Sequence, residues 1–221
     1  MMTVTSWSLS LEDLDRNQIY RYLGMRPEAV DSTIRSLTEA CVPGFLAATR
    51  PRASWMEVPV SLQETQVDFG VFSVKSNSLA RTLRGCDRAI LFAATLGAET
   101  DRQRRTASVT SPAKALILDA MGTAAIETVC DGLCCRFAAE HPERKLRPRF
   151  SPGYGDLPLE CQRTLLDVLD SQRKAGISLS ESLLMVPQKS VSAIVGLGRQ
   201  GCRENRGNCE ECLQKDCEFR L

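Results

Sequence analysis

Residues 149–158 read Arg-Phe-Ser-Pro-Gly-Tyr-Gly-Asp-Leu-Pro. A hydrophobic core does not need that mixture, and a binding loop for a small charged ligand does. Gly153 and Gly155 can adopt backbone angles closed to other residues, and they bring no side chain to block a ligand. They flank Tyr154, whose ring is presented from a tight turn, placed to stack on a base or to face a cation. Asp156 is a predicted N-cap for a following helix, with Pro158 in its first turn. The loop would then deliver backbone N–H groups at the positive end of that helix, a cradle for a carboxylate or phosphate. Arg149 adds a bidentate, charge-assisted contact. A structural turn packing one helix onto a sheet uses the same residue types, so composition leaves both readings open. A second stretch of mixed character runs from Gly176-Ile-Ser-Leu-Ser-Glu-Ser to Pro187-Gln-Lys-Ser-Val-Ser-Ala-Ile-Val.

The next concentration of chemistry is a cysteine cluster near the C-terminus, Cys202, Cys209, Cys212 and Cys217, in which Cys209 and Cys212 form a C-x2-C pair. Four thiolates suit tetrahedral zinc or an iron–sulfur cluster, and Arg203, Arg206, Lys215 and Arg220 would offset their charge. The spacing is not a ferredoxin run. A thiol-rich tail that forms a redox-sensing disulfide is the competing reading. The other cysteines, Cys41, Cys86, Cys130, Cys134, Cys135 and Cys161, are scattered through apolar patterns, as buried thiols are.

The elements that must position these residues follow from periodicity and breakers. Residues 11–23 read as a helix capped by Ser10 and stopped by Gly24. A second amphipathic helix is predicted from Pro27 to Ala48, with Val30, Ile34, Leu37 and Cys41 on one stripe and Pro43 as a point of kinking or early termination. From Trp55 to Val74 the period changes to alternation, which predicts two or three short strands in hairpins. A short helix over 77–83 leads to the apolar run 89–95, a central buried strand. A charged helix over 99–108 precedes the longest helix, from Pro112 to Glu140, whose stripe is Leu118, Met121, Ala125, Val129 and Leu133. Gly122 to Ala125 keep one section of it slim, so another element can approach closely. His141-Pro142 ends it. A loop over 143–157, a helix from Pro158 to Ser171, and strands over 183–186 and 191–195 joined at Pro187–Ser190 complete the pattern.

The chain has 221 residues, 43% of them hydrophobic and 25% charged, which fits an ordinary globular protein with one substantial core. A formal net charge of +1 gives no global field to attract nucleic acid. The basic runs at 102–105 and 144–147 read as solvated faces or helix ends. No apolar run spans a membrane, and the N-terminus is not patterned as a signal peptide. The expected location is cytoplasmic, where the ten cysteines would be thiols or metal ligands. With no repeats and no clear linker, residues 1–197 are expected to form one α/β domain and residues 198–221 a Cys-rich tail.

Two of these stretches together resemble the activation domain of cobalamin-dependent methionine synthase. That family carries an Arg, a Pro-Gly-Tyr turn, a Pro at a helix start, a Gly-x-x-Leu-x-Glu-Ser segment and a strand beginning Ser-Val-Ser. Here these are Arg149, Pro152-Gly153-Tyr154, Pro158, then Gly176, Leu179, Glu181-Ser182 and Ser190-Val191-Ser192. Asp119 and Glu127 on the long helix fit the same family more weakly. The chain departs from it after the turn, where Gly155-Asp156-Leu157 replaces the usual proline and the acidic and histidine pair beyond it, and so looks closer to short stand-alone members.

The resemblance implies an α/β (α+β) fold: a single curved domain with a central, mainly antiparallel sheet and flanking helices. It implies binding of S-adenosylmethionine in support of the reductive methylation of cob(II)alamin, with an electron from flavodoxin or a similar reductant. Arg149 would hold the ligand's carboxylate. Ser151, Pro152, Gly153 and Tyr154 would shape the adenosyl and methionine contacts. Glu127 would meet the amino group or sulfonium, or else stand as an exposed helix carboxylate. The only histidine is His141, and no Asp-x-His-x-x-Gly segment is present to ligate a corrinoid. The chain is therefore not expected to be a complete methionine synthase. The cobalamin would come on a cobalamin-binding methionine synthase or other corrinoid protein met in trans. Two further readings compete: a metal- or redox-active protein working through its cysteine tail, and a non-catalytic docking subunit of a corrinoid methyltransferase.

Overall fold

The structure, a computed structural model, describes residues 2–6 and 13–199. Its centre is a five-stranded antiparallel sheet in the order β1-β2-β6-β10-β7. Strand β1 spans Met2–Ser6, β2 Arg52–Pro59, β6 Cys86–Thr95, β7 Lys145–Leu146 and β10 Ser190–Gly198. The two most apolar runs of the sequence, β6 and β10, sit side by side in the middle, with Ser190 opposite Thr95 and Ile194 opposite Leu91. The edge strand β1 is absent from the sequence-based expectation, although Thr3-Val4-Thr5 has the β-branched composition of a strand. A three-stranded sheet of β3 (Ser61–Gln63), β4 (Gln66–Asp68) and β5 (Ser73–Lys75), and a small hairpin of β8 (Ser178–Leu179) and β9 (Met185–Val186), stand apart from the main sheet. Strands β9 and β10 are thus consecutive, as predicted, but belong to different sheets.

Alternation along the central strands divides the core in two. Ile90, Phe92 and Ala94 of β6 face one cluster, which also takes Ala193, Val195 and Leu197 of β10. Ala89, Leu91 and Ala93 face the other, with Ile194. Helices α1 (Arg16–Tyr22), α2 (Ser32–Ala48), α4 (Ala98–Thr110) and α5 (Pro112–Glu140) cover the first face. Phe137 of α5 closes it, packing at 5.7 Å from Trp55 and 6.1 Å from Phe92 between ring centroids. Helices α3 (Asn77–Thr82), α6 (Cys161–Val168) and α7 (Ser171–Ala175), with the small sheet, cover the second.

Several boundaries move for identifiable reasons. Asp15 caps α1, accepting from the amides of Asn17 and Gln18, so the helix starts at Arg16; the predicted cap Ser10 lies outside the described residues. The second predicted helix is interrupted, a 3-10 turn over Pro27–Ala29 being followed by a fresh start where Asp31 caps α2. Pro43 does not end α2, because Cys41, Val42, Phe45 and Ala48 are buried around it and hold the helix to Ala48. The helix predicted from Pro158 begins at Cys161 and breaks at Asp170, which takes a left-handed conformation, before α7. No helix among the described residues is long and apolar enough to cross a membrane.

Candidate functional site

The 147–157 loop is laid along the free edge of β10, beyond the end of β7. The Arg147 amide donates to the Gly196 carbonyl at 2.8 Å, and Phe150 exchanges both backbone hydrogen bonds with Ile194 at 2.9 Å. Phe150 packs against the second core cluster. The chain then closes a knot: the Tyr154 amide donates to the Ser151 carbonyl at 3.1 Å, Gly153 to Leu157 at 2.9 Å and Leu157 to Tyr154 at 3.0 Å. Gly153 and Gly155 both have positive φ, +89° and +56°. At Gly155 a Cβ would also stand 2.6 Å from the Ser78 hydroxyl, so the position needs glycine twice over.

This geometry corrects the anion cradle expected from the sequence. The amides of Gly153, Tyr154 and Leu157 are spent inside the loop. Asp156 does not cap the helix after it. Its carboxylate caps α3 instead, accepting from the Ser76 hydroxyl at 2.5 Å, the Asn77 amide at 2.7 Å and the Ser78 amide at 3.0 Å. Gly155 lets the loop lie directly on the start of α3, whose first amides need a partner, whereas those of α6 are already taken by the carbonyls of Pro158, Leu159 and Glu160. These bonds, the Ser76 hydroxyl first, hold the Asp156 carboxyl well below the usual carboxylate range.

On the other side of the loop lies a cleft of about 450 Å³, a volume suited to a small-molecule ligand. It gathers Glu127 of α5, Arg149, Ser151, Pro152 and Tyr154 of the loop, Gln162 of α6, Met185 of β9, and Ser190 and Ser192 of β10. Of the six residues predicted to bind the ligand, Gly153 alone is off the wall; its role is the turn. The Arg149 guanidinium reaches α5, with Nη2 at 2.8 Å from Glu127 and 3.0 Å from Asp131. Its Nη1 is buried and has no hydrogen-bond partner. Burial acts to lower the Arg149 pKa, the negative charges of Glu127 and Asp131 beside it act the other way, and the value stands raised. Burial also pushes the neighbouring Cys130 thiol up to about 12, so it is an inert neutral group there. Tyr22, at the end of α1, lies within the electrostatic reach of Glu127, Arg149 and Tyr154. Tyr154 is 61% exposed, and its ring meets Phe150 edge-on at 6.3 Å.

Two supports were not legible in the sequence pattern. Gln162 is 6% exposed, donates through Nε2 to the Leu183 carbonyl at 2.9 Å, and accepts from the Ser192 hydroxyl at 3.4 Å. Lys189 lies across Gly122, where a Cβ would stand 2.9 Å from its Cγ, and ends 2.8 Å from Thr123 Oγ1 and 3.1 Å from Asp119. The slim section of α5 therefore admits a side chain, and Asp119 serves that side chain rather than the cleft. Asp131 had a signal, since it sits four residues after Glu127 on one helix face.

A larger hollow of about 580 Å³ lies on the three-stranded sheet, lined by Ser61, Gln63, Glu64, Gln66, Asp68 and Ser73. It brings together no opposed charges, and the loop chemistry is elsewhere. Among the described residues no group of three or more His, Cys, Asp or Glu side chains is arranged to hold a metal ion. Cys202, Cys209, Cys212 and Cys217 lie outside the described residues.

Residues 143–203 match the family model for the vitamin B12 dependent methionine synthase activation domain. Among solved structures the chain is similar to the MetH reactivation domain bound to AdoHcy, with a TM-score of 0.70 and 15% sequence identity over 91% of this chain and 80% of that one. At that identity the likeness is one of fold. No curated protein matches the chain in sequence.

Proposed function

Through residues 143–203 the chain belongs to the activation-domain family of vitamin B12 dependent methionine synthase, and on that premise we propose that its cleft binds S-adenosylmethionine in support of cobalamin reactivation. The observation that carries this reading is the convergence of Glu127, Arg149, Ser151, Pro152 and Tyr154 on one cleft. The described solved relative holds AdoHcy, the demethylated form of the same ligand.

The residues present fit such a ligand. Its amino-acid end offers one carboxylate and one ammonium. The Arg149 Nη1 is a buried donor without a partner, suited to the carboxylate, and Glu127, with a side chain 43% exposed, is suited to the ammonium. Arg149, Glu127 and Asp131 together carry one positive and two negative charges, a net of −1. S-adenosylmethionine carries +1 through its sulfonium, and S-adenosylhomocysteine carries none, so the site favours the methylated form. Ser151 and Pro152 shape the wall, Gly153 sets the turn, and Tyr154 presents a ring at the rim for the adenosyl group. When bound, the ligand supplies a methyl group. That methyl would serve a partner's oxidised cobalamin, with one electron from a flavodoxin-like reductant. The chain's own contribution is to bind and orient the donor in an open cleft that a second cofactor can approach.

We place the cobalamin on a separate methionine synthase or other corrinoid protein met in trans. The domain would be residues 1–197. The tail, 198–221, is proposed to hold zinc or an iron–sulfur cluster through Cys202, Cys209, Cys212 and Cys217, which metal analysis and a visible spectrum of anaerobically purified protein would test. Calorimetry tests the main reading: the wild type is expected to give heat with S-adenosylmethionine, and silence with both it and S-adenosylhomocysteine overturns it. Mixing the chain with a cob(II)alamin-form synthase lacking its own activation module, with reductant present, tests the role in trans. Failure to restore activity would reject that role and leave ligand binding standing.

A further inference from the structure

We propose that Gln162 is a positioning residue for the cleft, tying the β8–β9 hairpin to strand β10 and so fixing two of the cleft walls at once. Its connection to the ligand rests on the S-adenosylmethionine reading; the tie itself does not.

The hairpin supplies Met185 to the cleft, and β10 supplies Ser190 and Ser192. The two strands share no sheet. Among the described residues, Gln162 is the side chain that hydrogen-bonds to both segments, through the Leu183 carbonyl and the Ser192 hydroxyl. The hairpin tip needs such a hold. Leu183 has φ of +62°, a left-handed conformation that a leucine adopts only under constraint. Within the tip, Ser180 accepts from the Leu183 amide at 3.1 Å and, through its hydroxyl, from the Leu184 amide at 3.0 Å. Those bonds fix the turn against itself but not against the rest of the molecule. Gln162 is buried in α6, and α6 packs on the second core cluster through Cys161, Leu165 and Leu166. Leu179 and Met185 pack the base of the hairpin on the same cluster, and the Gln162 amide adds the hydrogen bond that refers its strained, largely exposed tip to the body of the protein. A leucine at 162 would keep the apolar packing of α6 and remove both bonds.

The test combines calorimetry with amide hydrogen exchange on the full chain. Gln162→Leu is expected to weaken S-adenosylmethionine binding about tenfold and to accelerate exchange over 178–186 while leaving α5 and β6 protected. Adding Leu183→Gly, which adopts the left-handed turn without constraint, is expected to recover part of the affinity. A general packing defect would not be relieved at Leu183. Ser192→Ala provides a second approach, with a smaller loss of affinity and unchanged hairpin exchange. Unchanged affinity in Gln162→Leu with a responsive wild type overturns the role in the cleft. Unchanged exchange over 178–186, or loss of protection throughout the chain, overturns the tie. A wild type that binds no S-adenosylmethionine overturns the ligand reading, and the exchange result still decides the tie.

Discussion

At the scale of single residues, Arg149 and Asp156 act in opposite directions from the two sides of one loop. Arg149 turns toward α5 and the cleft, where its neighbours are Glu127 and Asp131. Arg149→Ala is expected to weaken S-adenosylmethionine binding by about 10- to 100-fold, the loss typical of a charged hydrogen-bonded contact, as read by calorimetry. Arg149→Lys should recover only part, since a point charge cannot bridge two carboxylates and a ligand as a planar fork does. Preference for S-adenosylmethionine over S-adenosylhomocysteine should shrink as salt is raised, because the difference between them is one charge. Asp156 turns the other way and anchors the loop on α3. Its folded pKa is depressed below the unfolded value of about 3.9. The stabilisation is therefore complete above that value and is lost as pH falls through the acid range. Between pH 5 and pH 3 the melting temperature of the wild type should fall further than that of Asp156→Asn, which lacks the titrating group.

Elements show why some of this was readable from the sequence and some was not. Helix α5 was legible end to end: Pro112 suits a first turn, and His141-Pro142 stops the run. Strands β6 and β10 were legible as apolar runs, and their central place follows from that. The cleft residues Arg149, Pro152 and Tyr154 stood out by their types and their order along the chain, and Glu127 and Ser151 only through the family resemblance. Asp156 was not, because an aspartate before a helix looks the same whether it caps that helix or one begun 79 residues earlier. Gln162 gave no signal, since a glutamine within an amphipathic helix reads as surface. Gly122 was readable as a point of close approach, but its partner Lys189 was not. Gly122→Ala is expected to cost about 1–2 kcal/mol by overpacking, measured by denaturant unfolding, and less in a Lys189→Ala background. Equal costs in the two backgrounds would show that Lys189 does not set the spacing between α5 and the start of β10.

At the scale of the molecule, a single sheet separates two apolar clusters, and the cleft lies where both are closed by the same loop. Phe150 packs into one cluster while Arg149, beside it, reaches the helix that covers the other. Ligand that binds only the folded chain should raise its melting temperature, by an increment equivalent to about 2.7 kcal/mol at a hundredfold excess over the dissociation constant. A chain ending at Arg199 should show the same increment if residues 1–197 are the binding unit. The anchoring of Asp156 on α3 has a further consequence. The most recognisable part of the chain, residues 143–203, leans on residues that precede it. Excised, it would carry an arginine without its carboxylates, a carboxylate without its amides, and β10 with the short β7 but without β6. The upstream part would hold the matching halves of all three. The residues that make the chain recognisable thus take their partners from its less recognisable remainder.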